Sequence, residues 1–145
     1  MSKKNKATDE TQIRKMIDDW ADALRNKNAE GVLSHYTLRP VHFSLAPPLL
    51  SAESDAKGLN AWFAAWQGTI GYEIRGLSVT VGDDVAFSHS LNRMHGTTNG
   101  EKSDLWFRHT LCFRRIGGEW KVAHEHESVP FYMDGSFKAA VDLKP

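Results

Sequence analysis

The sequence predicts an α+β fold in which three N-terminal helices pack on a curved, mostly antiparallel sheet. Apolar residues recur at helical spacing before Gly68, whereas four segments rich in β-forming residues follow it. The turn signals GDD, TTNG and IGG separate these segments and predict hairpin connections. Helices followed by hairpin-linked strands are typical of the α+β class. With 145 residues, the chain is most simply one domain, residues 1–145, long enough to bury a core.

The three helices are predicted from apolar spacing and from signals at their ends. The first covers residues 8–28 with Thr8 as a candidate N-cap, and residues 1–7 are expected to form a disordered basic tail. A second, short helix is predicted at residues 32–36. The third runs from about residue 55 to Gly68, because large apolar side chains recur there at i, i+3, i+4 and i+7. These side chains are Leu59, Trp62, Phe63 and Trp66.

Strands are predicted from β-rich runs between turn signals. A short strand lies within residues 39–46 and is ended by Pro47 and Pro48, which cannot join a central ladder. The longer strands cover residues 72–81, 85–95, 102–116 and 119–129. Residues 130–145 include the apolar residues Phe131, Tyr132, Met133 and Phe137, so we expect an ordered C-terminal extension. This extension could also act as a lid over a pocket.

The predicted strand at residues 102–116 is apolar on both faces, which bears on assembly. One face carries Leu105, Phe107, Leu111 and Phe113, and the other carries Trp106 and Cys112. A strand with two apolar faces is covered on both sides, and the helices can cover only one. We therefore expect a homodimer that forms through the other sheet face. The alternative is that the C-terminal extension folds back over that face.

Composition argues against several classes of partner. The chain has 18 basic and 18 acidic residues, so no net charge favours nucleic acid or an anionic membrane. No apolar run approaches the length of a membrane span, and the N-terminus lacks the apolar region of a secretory signal. A single cysteine, Cys112, excludes an internal disulfide and fits a cytoplasmic location.

Two motifs on the last two predicted strands resemble a known family. The first is Asp-x-Trp-x-Arg-x-Thr, at Asp104, Trp106, Arg108 and Thr110. The second is Trp-x-Val-x-His-x-His-x-Ser-x-Pro, at Trp120, Val122, His124, His126, Ser128 and Pro130. With the order of elements, they resemble the SnoaL-like group of ketosteroid isomerase homologues in the nuclear transport factor 2-like superfamily. The resemblance covers residues 8–129 and implies a cone-shaped, cystatin-like fold with a pocket between the helices and the concave sheet face.

The resemblance also implies that the matched side chains point into this pocket. The expected ligand-binding residues are Trp20, Tyr36, His89, Trp106, Arg108, Thr110 and Ser128. The candidate catalytic residues are His124, His126 and Asp104. An imidazole takes and gives protons near neutral pH, and Asp104 could orient one of the histidines. Successive side chains of a strand point to opposite faces. Glu125 and Glu127, which alternate with the two histidines, are therefore expected on the opposite face, at the subunit interface or in solvent.

Neither a metal site nor steroid isomerisation is expected from the residues present. His124 and His126 offer two metal ligands and His89 a third, but Arg108 beside them would repel a cation. We therefore expect no metal and no cofactor. Ketosteroid isomerase chemistry needs a carboxylate base, whereas the stretch PVHFSLA, which should supply that base, offers only His42. The isomerase activity is therefore not carried over.

Three functions remain open from the sequence. The first is binding of a small hydrophobic or carboxylate-bearing metabolite in the cone cavity. The second is a cofactor-independent cyclase, isomerase or dehydratase that uses cavity histidines as acid and base. The third is a non-catalytic dimerisation module. An open pocket is expected for the first two functions and a filled one for the third.

Overall fold

The computed structural model describes residues 3–145, which form three helices and one five-stranded sheet. The helices are α1 (Lys3–Arg25), α2 (Ala29–Leu33) and α3 (Ala56–Ala64). The strands are β1 (Tyr36–Phe43), β2 (Trp66–Val81), β3 (Val85–Thr98), β4 (Glu101–Ile116) and β5 (Glu119–Ser128). The sheet is curved and mostly antiparallel, so the predicted α+β class is confirmed.

The first helix begins earlier than the sequence suggested. α1 starts at Lys3, so residues 3–7 are helical rather than a disordered tail. Thr8 consequently lies inside the helix and is not its N-cap. The reason is that this segment contains lysine and alanine, which are good helix formers, and no glycine or proline. Residues 1 and 2 of the predicted tail lie outside the described residues.

The third helix starts as predicted but ends early. Asp55 caps α3, and its carboxylate accepts the backbone N–H of Gly58. The helix stops at Ala64, and Trp66 begins β2, where it pairs with Thr98. Pairing with β3 thus outweighs the helical spacing that had placed Trp66 in α3. In the same way, residue 36 belongs to β1 rather than to α2.

The helices cover one face of the sheet, which we call the inner face. The strands lie in the order β1-β5-β4-β3-β2, with β1 parallel to β5 and the other neighbours antiparallel. Buried side chains form two clusters between the helices and this face. α1 contributes Ile13 and Ile17 to one cluster and Trp20 and Leu24 to the other. The long first helix therefore anchors both halves of the core.

One extra residue in β5 decides which of its side chains reach the inner face. Consecutive residues of β4 pair with Val122 and His124, so Ala123 between them is an unpaired bulge residue. Inserting one residue reverses the alternation of side chains beyond it. Val122 is buried on the inner face before the bulge, and Glu125 is buried there after it. His124 and His126 therefore lie on the opposite face, which we call the outer face.

The outer face carries exposed apolar side chains. Val85, Phe87 and Leu91 of β3 are 60%, 46% and 40% exposed. Cys112 of β4 is opposite Phe87 on the same face. The helices do not cover this surface, as the sequence had indicated.

The C-terminal extension reaches the outer face. A bridge between Phe131 and Ala139 holds residues 130–145, and Ala140 is buried. Pro145 lines a shallow depression of the outer face together with Arg108. No residue of the extension lines the cavity under the helices, so the extension does not form a lid over that cavity. Within residues 3–145, no helix combines the length and apolar character needed to cross a membrane.

Candidate functional site

A cavity of about 410 Å³ lies between the helices and the inner face of the sheet. Its aromatic lining residues are Trp20, Tyr36, Trp62 and Tyr72. Its acidic lining residues are Glu53, Asp55, Glu125 and Glu127. The volume lies within the range of small-molecule sites, and the mixture of aromatic walls with polar groups is typical of them. The cavity is therefore the candidate functional site.

The carboxylate of Glu125 is the centre of a buried hydrogen-bond network. The Tyr36 hydroxyl donates to Oε1 at 2.7 Å, and Nε2 of His109 lies 2.6 Å from Oε2. Nδ1 of His42 lies 3.4 Å from Oε1. Nε1 of Trp20 donates to the Tyr36 hydroxyl at 3.0 Å. The network thus connects α1, β1, β4 and β5 and holds Glu125, which is only 7% exposed.

Local irregularities bring these side chains together. The pairing of β1 with β5 shifts between Tyr36 and Val41, so Tyr36 and His42 both reach Glu125 although six residues separate them in sequence. Trp20 stacks on the imidazole of His109, with ring centroids 5.5 Å apart and planes inclined by 21°. This stacking fixes the orientation of the imidazole that contacts Glu125.

The environment of Glu125 favours its ionised form. Burial on its own raises the pKa of this carboxyl, but hydrogen bonds from His109 and His42 lower it, as does the charge of His109. The net pKa of Glu125 lies below its usual value, because these donors stabilise the carboxylate more than burial destabilises it. Glu125 is therefore a fixed anion at the end of the cavity.

The environment of Glu127 favours the protonated form. Burial raises the pKa of Glu127 well above its usual value, and the negative charge of Glu125 raises it further. No hydrogen-bond donor within residues 3–145 contacts its carboxyl group. Two carboxyl groups on one strand thus have pKa values shifted in opposite directions.

A second polar chain ends at the hydroxyl of Tyr72. Ser90 Oγ donates to Asn92 Oδ1 at 2.7 Å, and Nδ2 of Asn92 donates to the Tyr72 hydroxyl at 2.7 Å. Burial raises the pKa of Tyr72 well above its usual value, and the charges of Glu127 and Glu125 raise it further. Tyr72 therefore keeps its proton. Since its oxygen already accepts from Asn92, its O–H remains available as a hydrogen-bond donor.

Only two of the predicted site residues reach the cavity. Trp20 and Tyr36 line it. The others lie on the outer face: His89, Asp104, Trp106, Arg108, Thr110, His124, His126 and Ser128. The prediction that these side chains point into the cavity is therefore wrong. On β4 the apolar side chains face inward, so the motif residues, which alternate with them, face outward. On β5 the bulge at Ala123 reverses which side chains face inward beyond it.

The contacts of these outer-face residues also differ from the prediction. Asp104 forms a bidentate pair with Arg93, with two N–O distances of 2.8 Å, and its cross-strand neighbour is His95 of β3 rather than a histidine of β5. Arg108 donates to Ser128 Oγ at 3.1 Å. Nδ1 of His124 lies 2.8 Å from the carbonyl oxygen of Val41 and so helps to hold β1. Asp104 consequently does not orient the histidines of β5.

Three of the predicted ligand residues do meet, but on the far side of the sheet. His89, Arg108 and Thr110 line the shallow depression that also contains Arg75 and Pro145. Trp106 lies on the same face, with the guanidinium carbons of Arg75 and Arg93 at 5.9 and 6.0 Å from its ring centroid. Within residues 3–145, no group of three or more His, Cys, Asp and Glu side chains is arranged to hold a metal ion.

Sequence reasoning missed the residues that shape the polar end of the cavity. These are His42, Tyr72, His109, Glu125 and Glu127. His109 had a usable signal, because it shares parity with the apolar residues Phe107 and Leu111 on β4. Glu125 and Glu127 had none, since their placement depends on the bulge at Ala123.

The chain matches a known family over most of its length. Residues 13–132 match the SnoaL-like domain family. An NTF2-like protein of unknown function from Pseudomonas putida is similar at 32% identity, over 96% of this chain and 98% of that one, with a TM-score of 0.85. The chain therefore belongs to the SnoaL-like domain family, within the NTF2-like superfamily. No curated protein sequence matches it.

Two further solved structures share the fold at lower identity. A protein from Novosphingobium aromaticivorans, provisionally named a scytalone dehydratase, is 16% identical over 92% of each chain, with a TM-score of 0.74. A ketosteroid isomerase-like protein from Erwinia carotovora atroseptica is 20% identical over 81% of this chain and 93% of that one, with a TM-score of 0.67. At these identities the likeness shows the fold alone.

Proposed function

We propose that this protein binds a small, largely apolar organic molecule in the inner cavity and catalyses proton transfer on it without a cofactor. The observation that carries this proposal is the pair of carboxyl groups on β5, Glu125 and Glu127, whose environments shift their pKa values in opposite directions. Such a divergence is a general mark of acid–base pairs in enzymes. The names of the dehydratase and the isomerase-like neighbours belong to the same reaction class.

Each polar group has a defined role in this proposal. Glu127 gives its proton to an oxygen of the substrate and, as a carboxylate, takes a proton from a neighbouring carbon. When the protonated oxygen leaves, the result is loss of water; when it stays, the double bond moves. Tyr72 donates a hydrogen bond to the substrate oxygen. Glu125 is a positioning residue, because its charge keeps the proton on Glu127 until substrate binds.

The cavity bears on the two other functions that the sequence left open. A dimerisation module is expected to fill the space under its helices, whereas this chain leaves about 410 Å³ there. The open cavity thus argues against the dimerisation module. Two carboxyl groups with oppositely shifted pKa values favour an enzyme over a binding module without catalysis.

We further propose a homodimer that buries part of the outer face. The support is the exposed apolar surface of β3, where Phe87 and Leu91 are 46% and 40% exposed and where the helices give no cover. The C-terminal extension reaches the same face, so in this proposal it lies at the edge of the subunit contact and does not cover the apolar surface of β3. The single free thiol, Cys112, supports a cytoplasmic location as part of this proposal.

The proposed chemistry is tested by hydrogen exchange on a simple ketone. 2-Tetralone is incubated in D₂O with wild type, Glu127→Gln or His126→Gln, and deuterium at the carbons beside the carbonyl is followed by NMR. We expect Glu127→Gln to lose about 100-fold in rate, as for removal of a general acid–base group. His126→Gln is the matched control, since His126 neighbours Glu127 in sequence but faces outward, and it should exchange at the wild-type rate. Equal rates for wild type and Glu127→Gln would overturn the proposal.

A further inference from the structure

The charges around the cavity are of one sign. The carboxyl groups of Glu53, Asp55, Glu125 and Glu127 line it, and none of its described lining residues is lysine or arginine. The sequence analysis had expected a carboxylate-bearing ligand because Arg108 was placed in the pocket. Arg108 lies on the outer face, so the group that would pair with such a ligand is absent from the cavity.

Two cationic side chains that contact the backbone of β2 are already engaged. The guanidinium of Arg25 donates twice to the carbonyl oxygen of Tyr72, at 3.0 and 2.8 Å, and once to Asp22 at 2.7 Å. Nζ of Lys27 donates to the carbonyl oxygen of Trp66 at 2.5 Å. Neither side chain lines the cavity. An anionic ligand would therefore meet no lysine or arginine among the described residues that line the cavity, and the neighbouring imidazoles of His42 and His109 already contact the Glu125 carboxylate.

The walls of the cavity add a second, independent feature. Trp20 and Trp62 lie on the helix side, and Tyr36 and Tyr72 on the sheet side. Aromatic faces attract organic cations through their quadrupole, and they also pack well against a flat ring. Glu53 and Asp55 lie just before α3 and are exposed, so acidic groups mark the approach as well as the interior.

We propose that the ligand of this cavity is a protonated amine carried on a flat apolar body, and that carboxylates are excluded. The inference rests on the proposed function, because it names the substrate class of the same site. The amine is placed against the aromatic faces and the carboxylates, and the apolar body fills the rest of the space. Tyr72 stays available to an oxygen of the same molecule, since its hydroxyl accepts from Asn92 and can still donate.

Binding of three probes of one shape tests the inference directly. 2-Naphthylmethylamine, 2-naphthalenemethanol and 2-naphthoate differ in charge but share a ring, and their binding is measured by quenching of tryptophan fluorescence and by calorimetry. We expect the amine to bind about tenfold more tightly than the alcohol and the carboxylate to bind at least about tenfold more weakly than the alcohol.

A double variant with isosteric substitutions at the entrance of the cavity tests the role of the acidic side chains there. Glu53→Gln with Asp55→Asn removes two charges, leaves the buried network intact and keeps a capping side chain at α3. It should reduce the preference for the amine over the alcohol by about threefold or more, and this preference should weaken in high salt. Circular dichroism confirms that the variant is folded.

The outcomes separate this inference from the proposed function. If the alcohol or the carboxylate binds as tightly as the amine, the inference is wrong, while proton exchange on 2-tetralone still decides the enzyme activity. If the amine preference is found but Glu127→Gln exchanges deuterium as fast as wild type, the ligand class stands and the enzyme proposal falls. If none of the three probes binds at millimolar concentration, the inference is overturned, and exchange on 2-tetralone again decides the enzyme proposal by itself.

Discussion

Nε2 of His109 and Oε2 of Glu125 are 2.6 Å apart, and both residues are buried, at 4% and 7% exposure. This contact joins the adjacent strands β4 and β5 on the inner face. Burial raises the pKa of Glu125, and the hydrogen bond from His109 is the largest of the effects that lower it.

Replacing this histidine should weaken both the fold and the charge separation. We expect His109→Phe to lower the free energy of unfolding at pH 7 by about 2 kcal/mol, because a buried carboxylate loses a donor. The low pKa of Glu125 contributes stability above the ordinary glutamate pKa of about 4.3, and this contribution is lost as the pH falls through the folded-state pKa. The deficit of His109→Phe should therefore shrink on acidification, as measured by urea unfolding at pH 7 and at about pH 3, which is below the ordinary glutamate pKa.

A histidine on the outer face provides the control for that measurement. His126→Phe removes an exposed imidazole whose ring contacts are Phe43 and His124. It should change the free energy of unfolding by less than about 0.5 kcal/mol. A loss in His126→Phe as large as that in His109→Phe would contradict the assignment of the two faces.

The sequence predicted the elements of this fold more fully than the direction of their side chains. Turn signals gave the four long strands, and their order after the helices gave the fold class. Side-chain direction follows from a strict period of two, and the single bulge residue Ala123 breaks that period in β5. Nothing in the letters around Ala123 marks a bulge, because it arises from pairing with β4, which is a tertiary event. The apolar residues of β4 indicated the correct inward face of that strand. The prediction followed the motif resemblance instead and assigned the opposite face.

The same distinction explains how much of the site was predictable. Trp20 and Tyr36 could be assigned because the helical stripe and the start of β1 fix their direction. The contact of His42 with Glu125 depends on the irregular pairing between β1 and β5. The local sequence does not indicate how β1 and β5 are aligned with each other. Residues that meet through long-range pairing therefore had to come from the structure.

The raised pKa of Glu127 predicts a pH-dependent effect of its removal. The folded state holds this proton more tightly than the unfolded chain, in which glutamate has a pKa of about 4.3. Wild-type stability therefore falls as the pH rises from about 4.3 towards the raised folded-state pKa. Glutamine does not titrate, so the stability of Glu127→Gln relative to wild type should increase with pH. Unfolding in urea at pH 5 and pH 8 measures this difference, and a difference independent of pH would contradict the assignment of the proton.

A separate buried ion pair predicts a purely structural variant. Asp9 is 5% exposed and binds Arg115 through N–O distances of 2.6 and 3.1 Å, and Nε1 of Trp120 donates to it at 3.3 Å. We expect Asp9→Asn to lower the free energy of unfolding by about 3 kcal/mol, because Arg115 loses its buried counter-charge. Binding in the cavity should be unchanged once the variant is folded.

An exposed aspartate on the same helix is the control for this pair. Asp19 pairs with Lys15 at 2.7 Å on the surface of α1, and such pairs contribute little. Asp19→Asn should therefore shift stability by less than about 0.5 kcal/mol. Both variants are compared by urea unfolding at pH 7, and equal losses would mean that Asp9 is not the more strongly coupled site.

The exposed apolar surface of β3 predicts that a charged residue placed there will prevent dimerisation. Phe87 lies on the outer face opposite Cys112 and is 46% exposed. A homodimer through this face would bury both copies of the residue, so Phe87→Glu would place two carboxylates in a closed apolar contact. We expect wild type to sediment as a dimer at micromolar concentration and Phe87→Glu to sediment as a monomer. Gln12→Glu adds a carboxylate at an exposed position of α1, on the other side of the sheet, and as the position control it should leave the protein dimeric. A wild type that sediments as a monomer at this concentration would contradict the proposed homodimer.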